Sequence, residues 1–540
     1  MLRQSFTAPL TERFRRRPDL TLFLLGLLWT VLVMPADPLK MVTDSLRRFR
    51  SAVWIWKGDN PGGHLPGVGG FGHHWDGVGQ SLLFVPIDMA VSALGIGDVA
   101  TRYSIVARFL FPILNGLVLF LSWHALRQLG FRARSCSLGT LITLGCTTLM
   151  FHFQNNQENP LMLAYALVAI IGILKWSDSG SLLWLNLACA AQAGSVSIRI
   201  TNLAYVLPLF GLPMLTRIFD RSHPWDWRGE VRQTTRLAMV AIPWLFVAFA
   251  VDRWWQWVRF GTLQGTYYSV FQKWAVANFS ILPPGFPFSV PFRVGFVGQM
   301  LSPAKGVFFY EPLLIASVAF WLLPRTATSP RAKALVLAGL VAILGTAVGL
   351  ARLFYWDSEP NWGPRYLATP AHLVELVLAA WIATNLPQRT WIKCLLGIGT
   401  AALIAVQISG MWWPAYHEGI EQTASRGREN VEFTSNLYAR GLPWVDPDGH
   451  KDWRFINRPI RVTTDITRQV TLSAEEWAAG SPPMRMIWIT GSLKSLSPPI
   501  RWAVRIAWLT GFGIALWLGR QALLGSDRKR DEIRTGSATA

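Results

Sequence analysis

The sequence predicts an all-α polytopic membrane protein built as a bundle of about twelve transmembrane helices. Three observations predict it. Residues AVILMFWYC make up 51% of the 540-residue chain and charged residues only 15%, against roughly 25% charged in soluble domains. Apolar runs long enough for ~20-residue spanning helices recur along the chain. The basic residues sit in short clusters between those runs, so the net charge of +20 does not mark a polar, basic domain. This pattern excludes a soluble nucleic-acid binder, a disulfide-built secreted domain and a disordered chain.

The runs fall near 20–36, 104–126, 137–153, 161–175, 182–198, 202–216, 236–252, 306–323, 333–351, 367–386, 391–411 and 502–523. The stretch 80–97 holds Pro86 and Asp88 and reads as an interfacial or re-entrant segment. Orientation follows from the short basic connections. Arg13, Arg15, Arg16 and Arg17 precede the first run, and later clusters include Arg127, Arg132 and Arg134, then Arg217, Arg221, Arg228 and Arg232, with Arg528, Lys529 and Arg530 at the end. Placing them all in the cytoplasm gives a self-consistent topology with both termini inside, as expected for a multi-pass protein of a bacterial inner or plasma membrane. No small-residue cleavage site follows the first run, so the first helix is expected to stay as an anchor.

Three units are expected. Residues 1–411 form the transmembrane domain, with functional outer loops 37–103, 253–305 and 352–366. Residues 412–501 form a small extracytoplasmic segment, and 502–540 the last helix and a basic tail. Cys136, Cys146, Cys189 and Cys394 lie in or beside predicted spans, which implies no disulfide framework.

The outer loops carry the candidate chemistry. Asp44 lies just past the first helix, where a carboxylate fixed by the bundle can reach water and serve as a general base; it can equally cap the helix that follows. Residues 43–57 pattern as an amphipathic, basic-aromatic helix that lies on a membrane surface. His73, His74 and Asp76 sit in a Gly-rich stretch. Their spacing suits a substrate-gating loop better than a metal site. In 154–160, Glu158 stands at a helix mouth among amides, as either a functional acid or part of a solvated turn ended by Pro160. Ser302–Pro312 holds Lys305 where an outer loop re-enters the membrane, and Asn361–Leu367 holds Arg365 between Trp362 and Tyr366. An Arg at the hydrocarbon edge suits a phosphate, whose oxygens its planar fork binds in pairs. No ligand set for a metal is convincing, although the chemistry leaves room for a divalent cation, and the cofactor stays open.

These pieces together resemble the GT-C class of integral-membrane glycosyltransferases, relatives of protein O-mannosyltransferases, aminoarabinose transferases and arabinofuranosyl- and mannosyltransferases. The matching residues are Thr43-Asp44 after the first helix, Ser195-Val196-Ser197-Ile198-Arg199-Ile200-Thr201-Asn202, Ser302-Pro303-Ala304-Lys305-Gly306 and Asn361-Trp362-Gly363-Pro364-Arg365-Tyr366. The resemblance covers about residues 15–411. It implies transfer of a sugar, hexose or pentose, from a polyprenyl-phosphate donor to a hydroxyl of a glycan, lipid or protein at the outer face. Asp44 would be the base, Arg365 and Lys305 would face the lipid phosphate, and Glu158 would be the second acid near the site. Trp362, Tyr366, His73, His74 and Asp76 are candidates for substrate contact. The sequence departs from the pattern in lacking an acidic doublet at position 45, which is Ser.

The chemistry is consistent with the residues taken alone. A lipid-phosphate leaving group needs a cation, and the acceptor hydroxyl needs a base. A lipid-linked glycan transporter or flippase competes with this reading, and so does a surface-polysaccharide polymerase or ligase. Internal repeats would favour the transporter, and none is visible; Glu375 is the main buried-looking acid in a span. The bases outside the cytoplasmic clusters, among them Arg47, Arg48, Arg102, Arg199, Arg259, Lys305 and Arg365, point to an anionic partner on the outer face.

Overall fold

The computed structural model describes residues 10–34, 43–58, 77–154, 157–220, 222, 226–266, 269, 272, 285, 287–301, 306–323, 328–353, 363–386, 389–412 and 497–525. Among the described residues every regular element is helical. The chain opens with α1 (Leu10–Arg16), α2 (Pro18–Val33), α3 (Thr43–Lys57), α4 (Gly79–Ala93) and α5 (Val99–Gln128). Next come α6 (Ala133–Cys146), α7 (Leu149–Gln154), α8 (Asn159–Ser179), α9 (Leu182–Ile198), α10 (Leu203–Phe210), α11 (Leu212–Phe219) and α12 (Trp227–Phe260). The rest are α13 (Phe292–Leu301), α14 (Val307–Tyr310), α15 (Ala316–Leu322), α16 (Pro330–Leu350), α17 (Ala368–Thr384), α18 (Thr390–Trp412) and α19 (Pro498–Leu524).

Each predicted span falls on helix. Seven helical stretches are long and apolar enough to cross a membrane, and five more are apolar but shorter, α2 and α17 among them. The chain is a multi-pass membrane protein. Its apolar residues also face outward, as lipid contact requires: Met239, Ile242, Phe246 and Phe249 on α12 are all exposed. By contrast α17 is buried on every side from Ala368 to Trp381, which makes it the axis of the bundle.

The predicted span 202–216 divides at Gly211 into α10 and α11, and two others are not continuous either. The 137–153 run divides into α6 and α7 at Thr147 and Thr148, and the 306–323 run divides at Glu311 before Pro312. Pro312 has no N–H to continue a helical ladder. Broken backbone inside a bundle must find other partners, and here the two breaks serve each other: the Thr148 N–H donates to Glu311 Oε2 at 3.1 Å.

The 43–57 amphipathic helix forms as α3. In the 80–97 stretch α4 runs through Pro86, and its Asp88 is fully buried. Arg102 Nε donates to Asp88 Oδ1 at 2.7 Å and Trp56 Nε1 to Oδ2 at 2.8 Å. That one carboxylate fastens α3, α4 and α5 together, so Arg102 belongs to the fold and not to the pool of ligand-seeking cations. α2 crosses α5 at Gly26 and Gly116, where an added Cβ would lie 2.8 Å from Asn115 O and 2.7 Å from Phe23 O respectively. Small residues allow the approach, as at other membrane helix crossings. The four cysteines are free thiols.

Candidate functional site

Glu158 stands at the start of α8 with no exposed surface. Three guanidinium groups reach it. Arg48 Nη1 lies 2.8 Å from Oε2. Arg365 Nη2 donates to Oε1 at 2.8 Å and to Oε2 at 3.1 Å. Arg199 Nη2 donates to Oε1 as well. Burial alone would raise the Glu158 carboxyl, but Arg199, Arg365 and Arg48 outweigh it and hold the group well below its ordinary value. A carboxylate held so low is a poor proton acceptor; it ties the three cations together.

Each arginine is delivered by a different local device. Arg48 comes from the inner face of α3 and also donates to Gln80 of α4. Arg199 ends α9 in an extended conformation, and the turn after it is closed by Asn202, whose Nδ2 donates to Ser195 O and Oγ, both at 2.9 Å. The Arg199 guanidinium also lies over the Tyr366 ring, 4.8 Å from its centroid. Arg365 sits in a tight turn that opens at Gly363, with φ of 73°. A side chain there would be doubly penalised, since an added Cβ would lie 2.9 Å from Tyr310 Cβ and 3.0 Å from Thr148 Cγ2. Asn159 Nδ2 donates to Arg365 O at 3.1 Å and holds the turn over the start of α8.

A second ionisable centre lies beneath that turn. His372 Nε2 is 3.0 Å from Glu311 Oε1 and 3.0 Å from Thr148 Oγ1. Glu375, one helical turn after His372 on α17, faces the same point. One ligand-type atom from each of Glu311, His372 and Glu375 lies within 4.8 Å of the others. The His152 ring stands 5.9 Å from His372 and its Nε2 3.4 Å from Asn159 Nδ2, so a short chain of side chains joins the two centres.

Of the expected site residues, the structure brings Glu158, Arg365 and Tyr366 together. The solvated-turn reading of 154–160 is overturned: Gln154, Gln157, Glu158 and Asn159 are all buried. His73, His74, Asp76, Lys305 and Trp362 lie outside the described residues. So does the Asp44 side chain, although its backbone stands in the first turn of α3, four residues before Arg48. Sequence reasoning missed the inward turn of Arg48 and Arg199, which it counted among the general outer excess of base. It also missed Glu311 and His372 as partners of Glu375. The signal was present: His372 and Glu375 are three apart, on one face of an otherwise apolar span.

No family model matches the chain, and no curated protein does. Among solved structures, the crystal structure of ArnT from Cupriavidus metallidurans bound to undecaprenyl phosphate superposes with a TM-score of 0.41 at 15% identity, over 92% of this chain and 75% of that one. Likeness at that level is distant, and the functional reading stands on the side chains described above.

Proposed function

We propose that the chain is a GT-C-type membrane glycosyltransferase that moves a sugar from a polyprenyl-phosphate donor to a hydroxyl acceptor on the outer face. One observation carries the reading. Three guanidinium groups from separate elements are aimed at one buried point at a helix mouth. Two of them, Arg199 and Arg365, come from motifs that carry the family resemblance. Guanidinium groups fixed in advance by a carboxylate bind phosphate oxygens with little further ordering.

In this reading Asp44 takes the proton of the acceptor hydroxyl, and the acceptor oxygen attacks the anomeric carbon. The bond from that carbon to the phosphate oxygen breaks, and the electron pair leaves with polyprenyl phosphate. Arg365 and Arg199 stabilise the charge that develops there, with Lys305 as a further cation. Glu158 is a positioning residue. The register of α3 supports the assignment of Asp44, since position 44 shares a helix face with Arg48 one turn away. Tyr366 and Trp362 offer aromatic faces to a sugar, and His73, His74 and Asp76 belong to a loop that gates the substrate.

The test is transfer from labelled polyprenyl-phosphate sugars in membranes. Asp44→Asn is expected to lower transfer about 10²–10⁴-fold, the usual worth of a general base, with donor binding retained. Transfer at the wild-type rate overturns the mechanism. Donor binding by the wild type without any transfer to any acceptor favours a lipid-linked transporter.

A further inference from the structure

The Glu311–His372–Glu375 cluster has no part in the transfer chemistry above. Glu311 and Glu375 have no exposed surface and His372 is 2% exposed. Glu311 is well satisfied, accepting from the Thr148 N–H and hydroxyl. Glu375 is not. Neither of its oxygens has a hydrogen-bond partner of ordinary geometry; what faces them is the Glu311 carboxylate, the Cys146 thiol and the Leu313 backbone N–H. Among the described residues, two carboxylates therefore share a buried pocket with one imidazole. Buried carboxylates are paired, protonated or bound to a metal.

We propose that Glu311, His372 and Glu375 ligate a single divalent transition-metal ion, with zinc first and manganese second among the candidates. One nitrogen and two carboxylate oxygens form a ligand set of the type such ions take. A doubly charged cation neutralises both carboxylates in a region with no arginine or lysine against them among the described residues. The spacing is close to what is needed. Ligands at about 2.1 Å from an ion stand roughly 3–3.5 Å apart, and Glu311 Oε1 and His372 Nε2 are 3.0 Å apart. Glu375 offers an oxygen within 4.8 Å of both. The Thr148 hydroxyl, 3.0 Å from His372 Nε2, also donates to the Glu311 carboxylate and holds it in place.

The ion would join the break before Pro312 to the bundle axis α17, directly below the Gly363 turn that carries Arg365. It is a structural centre supporting the anion site, not a participant in the transfer. The competing arrangement is a proton shared between Glu311 and Glu375.

The experiment uses the full chain in nanodiscs, purified with a histidine-free tag, stripped with chelator and reloaded with Zn²⁺ or Mn²⁺ before washing. Metal content by mass spectrometry and the unfolding temperature are read together. The wild type is expected to retain about one ion per chain, with a raised unfolding temperature in the loaded form. Glu375→Gln, which keeps the shape, and His372→Gln are expected to weaken retention at least about tenfold and to lose the thermal response. The proposal is overturned if the loaded wild type keeps no ion and shows no thermal shift. It is equally overturned if Glu375→Gln retains as much metal as the wild type. Because the wild-type measurement stands alone, a variant that fails to fold does not rescue the proposal.

Discussion

Two buried carboxylate centres stand a few side chains apart, and they are built on opposite electrostatic plans. At Glu158 one carboxylate is met by Arg48, Arg199 and Arg365. At Glu311 and Glu375 two carboxylates are met by His372. The first gathers positive charge and suits an anion; the second gathers negative charge and suits a cation. The lesson is that burial alone does not define a site. Asp88 is as buried as any of these acids, yet Arg102 and Trp56 complete it, so it acts only as a fastener between helices. What distinguishes the two centres is a local imbalance of charge at the broken ends of helices, where side chains can reach one another across the bundle.

The comparison breaks most visibly when the charge of one acid is removed from each centre. Glu158→Gln leaves three buried guanidinium groups without their common partner and is expected to cost about 3–5 kcal/mol of stability, read by denaturant unfolding in nanodiscs. In the same variant the donor KM is expected to rise more than kcat falls, because the base is untouched. A variant as stable as the wild type would show that the ion pairs are incidental. Next in size, Arg365→Lys replaces a two-pronged donor with a point charge. It is expected to lower kcat/KM for the donor about tenfold or more, with only a small change in unfolding. Smaller still, Glu375→Gln in chelator-stripped protein is expected to leave stability unchanged or slightly raised, because it removes one of two adjacent buried carboxylates. A large loss there would mean that Glu375 is already compensated.

The smallest effect is pH. The Glu158 carboxyl is depressed below its ordinary 4.5. Its stabilising contribution is therefore complete above that ordinary value and is lost only as pH falls through the lower folded value. Unfolding between pH 5 and 8 should show no dependence traceable to Glu158, as judged by subtracting the Glu158→Gln profile from that of the wild type.

Much of this architecture was legible in the sequence. Hydropathy marked the long apolar helices because a bilayer demands long apolar runs, and the 3.6-residue pattern marked α3. The site was legible only in part. Arg365 and Glu158 drew attention because each stands at a predicted helix mouth. Arg48 was hidden by its own amphipathic helix, in which Arg47, Arg48 and Arg50 look alike until packing selects Arg48 to face inward. Thr148 and Glu311 were hidden for a different reason: both lie at helix breaks inside runs that hydropathy reads as continuous. Periodicity reports which residues avoid water, but not which ends of separate helices meet.

The claim that most needs testing is that the arginine centre holds the donor phosphate. The direct measurement is equilibrium binding of a polyprenyl monophosphate to the full chain in nanodiscs, with uncharged polyprenol as the control. Arg365→Gln and Arg199→Gln are each expected to weaken binding of the phosphate about 10- to 100-fold, the worth of a lost charged hydrogen bond, while polyprenol binding stays at the wild-type level. Phosphate-lipid affinity unchanged in both variants would contradict the account.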